Sequence, residues 1–123
     1  MKVAVVGSRT ITDYSVVREI LGNYTITQIV SGGAKGIDSL AEQFSATVML
    51  PNAPKVFLPD WQTHGKGAGF IRNKEIVNYA DTVIAIWDGV SKGTKHSIDY
   101  ARKQGKIVDV WVVDVESGIY ARL

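Results

Sequence analysis

The sequence predicts an α/β fold in which about five parallel strands form one doubly wound sheet with helices on both faces. Short apolar runs alternate with amphipathic stretches of helical periodicity along the 123 residues, and glycine-rich turns follow the apolar runs. The chain has the length of one domain, and its 46% hydrophobic and 21% charged residues are ordinary globular usage. We therefore expect residues 1–123 to form a single domain.

The first half of the chain predicts three strands and two helices. Lys2–Val6 is a short apolar run that ends at Gly7, which is typical of a strand buried on both faces. Asp13 precedes apolar positions at helical spacing as far as Tyr24 and has the residue type of an N-cap. The other elements predicted here are strand two at 28–31, a second helix capped by Asp38, and strand three at 55–58.

The second half predicts two helices and two further strands. Helices are expected at 68–79 and at about 94–104, the latter ending at Gly105 as a C′ glycine. The strands are expected at 82–87, which is the clearest apolar run, and at 106–113. No element is assigned to residues 114–123. Right-handed crossovers then give a Rossmann-like sheet of strand order 3-2-1-4-5.

The composition excludes several classes of protein. No cysteine is present, which removes disulfide frameworks and zinc–thiolate sites. No run approaches the roughly 18 apolar residues of a membrane span, and the run before Gly7 is too short for a signal peptide, so we expect a cytoplasmic protein without a membrane partner. Fourteen basic and twelve acidic residues give a net charge of +2. Domains that bind nucleic acid usually carry a denser positive charge, so nucleic acid is not expected as a partner.

Glycines and cations gather in the loops that follow the strands. In a doubly wound sheet these loops meet at the carboxyl edge, where ligands bind. Glycine-rich turns that open helices present free N–H groups and the positive end of the helix dipole, which suit phosphate. One such loop would be weak evidence, but several converging on one edge favour a site. The sequence therefore predicts a locally cationic cleft formed by four loops: Gly7–Thr10, Ser31–Asp38, Asp60–Arg72 and Trp87–Thr94.

Five motifs in these loops carry a family resemblance: Gly7-Ser8-Arg9, the run from Ser31 to Asp38, the run from Ala68 to Asn73, Ala80-Asp81 and Gly93-Thr94. Their order resembles that of the SLOG superfamily, which joins the Smf/DprA DNA-processing proteins to the Lonely Guy phosphoribohydrolases. The resemblance covers about residues 2 to 113 and is greatest to small single-domain members related to YspA. It implies a Rossmann-like fold that binds nucleotides or nucleotide-derived ligands.

The Lonely Guy enzymes use an arginine and a glutamate at the bond between ribose and base. By resemblance, Arg72 corresponds to the arginine and Gly93-Thr94 to a phosphate-binding pair. Ser97 stands at the glutamate position, and Trp87-Asp88-Gly89 replaces the family's Pro-Gly-Gly. The resemblance therefore implies a phosphate-binding site, but the catalytic carboxylate of the Lonely Guy enzymes is absent from its usual position.

Three functions remain open at this point. The first is a binding protein for a nucleotide or a signalling nucleotide, expected to be a homodimer. The second is a nucleotide hydrolase in which Asp88 or Asp60 replaces the glutamate, and the third is single-stranded DNA binding. No cofactor is expected beyond Mg²⁺ brought by ligand phosphates, because His64 and His96 are too few for a metal site.

Several single residues have two interpretations. Asp38 either contacts a ribose or caps its helix, and Asp60 and Asp88 either contact ribose, Mg²⁺ or water or form Asx turns. Trp61 and Trp87 either stack on a base or pack in the fold. If the protein is an enzyme, Arg72 and Asp88 are the expected catalytic residues. The residues expected to bind nucleotide or phosphate are Gly7, Ser8, Arg9, Ser31, Gly32, Gly33, Lys35, Gly36, Asp38, Asp60, Trp61, Arg72, Asn73, Asp88, Gly89, Gly93 and Thr94.

Overall fold

The computed structural model describes all of residues 1–123 and contains one six-stranded sheet with five helices. The strands are β1 Lys2–Gly7, β2 Gln28–Ser31, β3 Lys55–Val56, β4 Thr82–Trp87, β5 Ile107–Val113 and β6 Tyr120–Arg122. The helices are α1 Tyr14–Leu21, α2 Ile37–Thr47, α3 Trp61–His64, α4 Ala68–Tyr79 and α5 Lys92–Lys103, with a 3₁₀ turn at Gly65–Gly67 before α4. None of the helices is long and apolar enough to cross a membrane.

The strand order is β3-β2-β1-β4-β5-β6, and the first five strands are parallel. This confirms the predicted order 3-2-1-4-5 and the Rossmann-like fold class. The sixth strand was not predicted: β6 pairs antiparallel with β5, and Trp111 faces Arg122 in the register. Only three residues form β6, too few for an alternating pattern to be recognised in the sequence.

The core consists of two apolar layers, one on each face of the sheet. Successive side chains of β1 point to opposite faces, so Val3 and Val5 pack with α1 and α2 while Ala4 and Val6 pack with α4 and α5. All four side chains are buried. A fully buried Val contributes about 1.5–3 kcal/mol relative to an exposed one. The central strands β1 and β4 therefore hold the two layers together and fix the edge at which the loops meet.

Two predicted helix starts have different outcomes. Asp13 caps α1, because its Oδ1 accepts the backbone N–H of Ser15 at 2.9 Å. Asp38 is not the cap of α2: Gly36 holds that position at φ +75°, and Asp38 lies in the first turn. A Cβ at Gly36 would lie 2.7 Å from Arg9 Cα and 2.8 Å from the carbonyl oxygen of Ser8. Glycine is needed here for its φ and because the second loop packs directly on the backbone of the first.

The remaining element boundaries deviate little from prediction. Helix α5 begins at Lys92, two residues earlier than expected, and is followed by Gly105 in the left-handed conformation. Strand β3 includes only Lys55–Val56, although Phe57 still donates its N–H to the carbonyl of Ser31 at 2.9 Å. Pro59 has no N–H to donate, so pairing cannot extend further along this edge strand.

Candidate functional site

A pocket of about 390 Å³ lies at the carboxyl edge of the sheet, where the strand order reverses between β1 and β4. All four predicted loops contribute to it, together with the first turns of α4 and α5. Its lining residues are Val6, Gly7, Ser8, Arg9, Thr10, Ala34, Asp38, Trp61, Lys66, Gly69, Phe70, Arg72, Asn73, Ile76, Ser91, Gly93, Thr94 and Ser97.

The residues predicted to bind nucleotide divide into two groups. Those that line the pocket are Gly7, Ser8, Arg9, Asp38, Trp61, Arg72, Asn73, Gly93 and Thr94. Those that do not are Ser31, Gly32, Gly33, Lys35, Gly36, Asp60, Asp88 and Gly89. The second group mostly shapes the loops: Ser31, for example, is buried and donates its hydroxyl to Glu42 Oε2 at 3.2 Å.

The guanidinium of Arg72 joins α4 to the loop after β2. Its Nη1 donates to the carbonyl oxygen of Gly32 at 2.6 Å, and its Nε donates to Asn73 Oδ1 at 3.0 Å. A Cβ on Gly32 would lie 2.5 Å from that Nη1, so a side chain there would displace the guanidinium. Because a guanidinium has five N–H donors, Arg72 keeps unused donors beside the pocket.

Asp38 lies half-buried beside Arg72. Its Oδ2 accepts the backbone N–H of Ala34 at 3.1 Å, which fixes the second loop against the start of α2. Burial raises the pKa of Asp38, and the N–H of Ala34 and the charge of Arg72 oppose that rise. Burial also lowers the pKa of Arg72, an effect that Asp38 opposes and the nearby charge of Arg9 reinforces. Arginine stays protonated near neutral pH even so, and the two cations make this side of the pocket attractive to an anion.

Asp88 binds its own loop rather than facing the pocket. Its Oδ1 accepts the backbone N–H groups of Val90 at 2.9 Å and Ser91 at 2.8 Å, and its Oδ2 accepts the hydroxyls of Thr10 and Ser91, both at 2.8 Å. Partial burial acts to raise the pKa of Asp88, but these four hydrogen bonds together hold it well below its usual value. The carboxylate therefore joins the loop after β1 to the loop after β4.

Asp60 and Trp87, for which the sequence allowed two roles each, both form contacts within the fold. Asp60 Oδ1 accepts the N–H of Thr63 at 3.1 Å and caps the short helix α3. Trp87 packs against the apolar layer under α4 and α5 and donates its indole N–H to the carbonyl of Ser91 at 3.0 Å. Of the alternatives weighed for them, the structure therefore shows the turn or cap for Asp60 and packing for Trp87.

Sequence reasoning missed Phe70, an aromatic residue at the mouth of the pocket. Trp61 is 57% exposed and Phe70 is 50% exposed, and both line the pocket. Helical periodicity gives no signal for Phe70, because it lies seven residues before the buried Val77 and therefore on nearly the same side of α4. Its exposure goes with its place in the first turn of α4 at the pocket, so the available signal is an aromatic residue in that turn two residues before Arg72.

The polar lining of the pocket suits an anionic ligand. Arg9 and Lys66 are exposed cations at its rim, and Asp38 is the one acidic residue in the lining. Ser8, Thr94 and Ser97 are buried residues that add hydroxyl groups. Neither α4 nor α5 has an acidic residue in its first turn or a side chain that caps its N-terminus, so the positive ends of both helix dipoles are uncompensated at the pocket. No group of three or more His, Cys, Asp or Glu side chains is placed to hold a metal ion.

Residues 1–52 match a family described as DNA recombination-mediator protein A. The Gene 61 protein of Mycobacterium phage D29 is 33% identical over 114 residues, a match that covers 85% of this chain and 90% of that protein. The chain belongs to the Smf/DprA-related SLOG family. The resemblance based on the loop motifs is thereby confirmed.

A solved structure in the SLOG family shares the fold. DNA processing protein A from Helicobacter pylori superposes with a TM-score of 0.67 at 25% identity, over 89% of this chain, and this chain spans 64% of that protein's chain. That Helicobacter pylori protein binds single-stranded DNA. The expectation that nucleic acid is not a partner is therefore wrong. It rested on a net charge of +2, which averages over the whole surface and conceals the cations around the pocket.

Proposed function

We propose that this SLOG protein binds single-stranded DNA and holds one nucleotide of the strand in the pocket formed by its four loops. The observation that carries the proposal is the position of Trp61 and Phe70, two exposed aromatic rings in a pocket that also contains Arg9, Lys66 and Arg72. Aromatic platforms beside cations are the combination that single-strand binding requires.

Each part of the pocket has a distinct role in this proposal. The cations and the uncompensated ends of α4 and α5 attract a phosphate, whatever base it carries. Trp61 and Phe70 stack on bases, which contributes about 1–3 kcal/mol for each base. A base in a duplex is already stacked and paired, so it reaches these rings only after an additional unstacking step. The pocket should therefore prefer single strands to duplexes.

Fluorescence anisotropy with a labelled 15-nucleotide strand tests this proposal. Trp61→Leu and Phe70→Leu should each weaken binding by about 5- to 150-fold, which corresponds to 1–3 kcal/mol. Trp61→Phe and Phe70→Tyr are the matched controls, because they keep an aromatic ring, and they should retain most of the affinity. Equal affinity of the leucine variants and the wild type would contradict the proposal, as would a preference for duplex over single strands.

A substitution of Arg9 tests the proposed phosphate contact. The Arg9 side chain is exposed and forms no hydrogen bond within the fold, so its replacement should leave the fold intact. Arg9→Gln should weaken strand binding and reduce its salt dependence by about 0.7 in the slope of log K against log salt concentration, the value for one phosphate contact on a single strand. Arg9→Lys keeps the charge and should keep the slope. An unchanged slope for Arg9→Gln would exclude Arg9 as a phosphate ligand.

A free nucleotide is the second candidate ligand, favoured by the size of the pocket. Its volume of about 390 Å³ falls in the range of small-molecule sites. The buried residues Ser8, Thr94 and Ser97 provide hydroxyls that a ribose or phosphate could bind. Competition separates the candidates: AMP should displace the labelled strand at concentrations near its own dissociation constant if both occupy the pocket. A free nucleotide that binds without displacing DNA would place the strand elsewhere.

A further inference from the structure

The two faces of the sheet differ in charge. Helices α4 and α5 cover one face and carry six basic and two acidic side chains: Arg72, Lys74, Lys92, Lys95, Arg102 and Lys103 against Glu75 and Asp99. Helices α1 and α2 cover the other face and carry one basic and three acidic side chains: Arg18 against Glu19, Asp38 and Glu42. A polyanion that leaves the pocket is therefore attracted to the α4–α5 face and repelled from the other.

A row of rings and lysines lies where α4 and α5 pack together, and we call Phe70, Lys74, His96, Tyr100 and Lys103 the α4–α5 seam. The Phe70 ring centroid lies 4.6 Å from that of His96, at an interplanar angle of 62°. About one turn further along, Lys74 Nζ lies 5.5 Å from the centroid of the Tyr100 ring. Both helices begin at the pocket, and Phe70 belongs to the pocket and the seam. The seam therefore continues the pocket without a gap.

The lysines of the seam are available to a ligand. Lys95 forms an ion pair with Asp99 at 2.8 Å, whereas Lys74 and Lys103 have no carboxylate within the distance of an ion pair. Lys74 and Lys103 are both exposed, and Lys103 lies in the last turn of α5. From Lys92 to Lys103, α5 is about 17 Å long at 1.5 Å per residue. At a spacing of 3.4 Å per stacked nucleotide, this length corresponds to about five nucleotides.

We propose that the α4–α5 seam binds the continuation of the single strand whose first nucleotide occupies the pocket. Lys74 and Lys103 contact its phosphates, and the Phe70 and Tyr100 rings contact its bases. This inference rests on the proposed function and adds to it a direction and a length: the strand runs along α5 from its first to its last turn. A strand of three nucleotides fills the pocket and extends along the seam as far as Lys74 without reaching Lys103, whereas a strand of fifteen nucleotides spans the whole seam.

The test compares Lys74→Gln/Lys103→Gln with the wild type on thymidine strands of three and fifteen nucleotides. For the 15-mer, the slope of log K against log salt concentration should decrease in magnitude by about 1.4, from two lost phosphate contacts at about 0.7 each. For the 3-mer, which reaches Lys74 but not Lys103, the slope should decrease in magnitude by only about 0.7. Lys74→Arg/Lys103→Arg keeps both charges and should restore the slope. Arg18→Gln, on the exposed face of α1, removes a cation from the opposite face and should change neither strand's affinity.

Three outcomes would overturn the inference: an unchanged slope in the double glutamine variant, an equal loss for both strand lengths, or an equal effect of Arg18→Gln. Melting curves of each variant show that the fold is intact, since exposed substitutions usually change stability by less than about 0.5 kcal/mol. A different result would contradict the proposed function itself, namely unchanged strand binding by Trp61→Leu and Phe70→Leu. If binding depends on those two rings but not on Lys74 and Lys103, the proposed function is supported and the proposed role of the seam is refuted.

Discussion

Replacing Asp88 with alanine should lower the free energy of unfolding by about 2–3 kcal/mol at pH 7. The carboxylate accepts four hydrogen bonds of 2.8–2.9 Å, two from backbone N–H groups and two from hydroxyls. A hydrogen bond to a charged group is worth about 1.5–3 kcal/mol. The sum is much smaller here, because the site is partly exposed and water replaces several of the lost partners. The loss should still exceed that of an ordinary surface substitution, since it separates the loops after β1 and β4.

The pH dependence of this loss follows from the lowered pKa of Asp88. A carboxyl whose pKa is lower in the folded than in the unfolded chain stabilises the fold above the unfolded value, and this stabilisation disappears as the pH falls through the folded value. The difference between wild type and Asp88→Ala should therefore be constant from pH 7 to about 5 and should narrow below about pH 4, the unfolded value of an aspartate. Burial raises the pKa of Asp38, which acts in the opposite direction, but Asp38 is present in both proteins and cancels in the difference.

Urea unfolding followed by circular dichroism measures both effects, and Asp60→Ala is the matched control. Asp60 is also a loop aspartate after a strand, but its carboxylate is fully exposed and accepts the N–H of Thr63 at the start of a four-residue helix. Its removal should cost much less than the removal of Asp88. Equal stability of Asp88→Ala and the wild type at pH 7, or a difference that stays constant down to pH 3, would refute this reasoning.

Three further predictions test other parts of the structure. Gly32→Ala should weaken strand binding at least tenfold in anisotropy, because its Cβ would displace the Arg72 guanidinium; an unchanged affinity would mean that Arg72 does not contact the ligand. Incubation with AMP, CMP, GMP and UMP should release no free base by chromatography, since Ser97 provides no carboxylate; turnover near 1 s⁻¹ would show an enzyme. Asp109→Ala should speed hydrogen exchange in β6, because Asp109 binds Arg122 at 2.8 Å and the Tyr24 hydroxyl at 2.7 Å; exchange as slow as in the wild type would show that backbone pairing alone holds this strand.

The central part of the sheet was predictable from local sequence alone. Strands β1 and β4 each contain an apolar run, Val3–Val6 and Val83–Trp87, next to turn signals, and the rule of right-handed crossovers then fixes their place in the order. Strand β6 was not predictable, because its three residues are held by distant partners. Arg122 reaches Asp109, and Tyr120 donates its hydroxyl to Glu19 at 2.7 Å. A strand that depends on such contacts leaves no periodic pattern in the sequence.

The site was predictable to the level of loops but not of side chains. The glycine-rich turns indicate which loops meet, because the carboxyl ends of parallel strands share one edge. Asp38 and Asp88 have the same chemistry and both follow strands, yet Asp38 faces the pocket and Asp88 turns into its own loop. Which partner each carboxylate finds depends on tertiary packing. The expectation that nucleic acid is not a partner was wrong for the same reason, because net charge contains no information about which face of the protein a cation occupies.

The parallel alignment of α4 and α5 has a consequence for stability. Both helices point their amino ends at the pocket, so two partial positive charges of about half a unit stand side by side with no acidic residue in either first turn. A phosphate bound there would act as a shared cap for the two helices, and folding and binding are then thermodynamically linked. A strand present at 100 times its dissociation constant would add about 2.7 kcal/mol to the free energy of unfolding. An acidic side chain in either first turn would stabilise the free protein and would compete with a bound anion for the two helix ends.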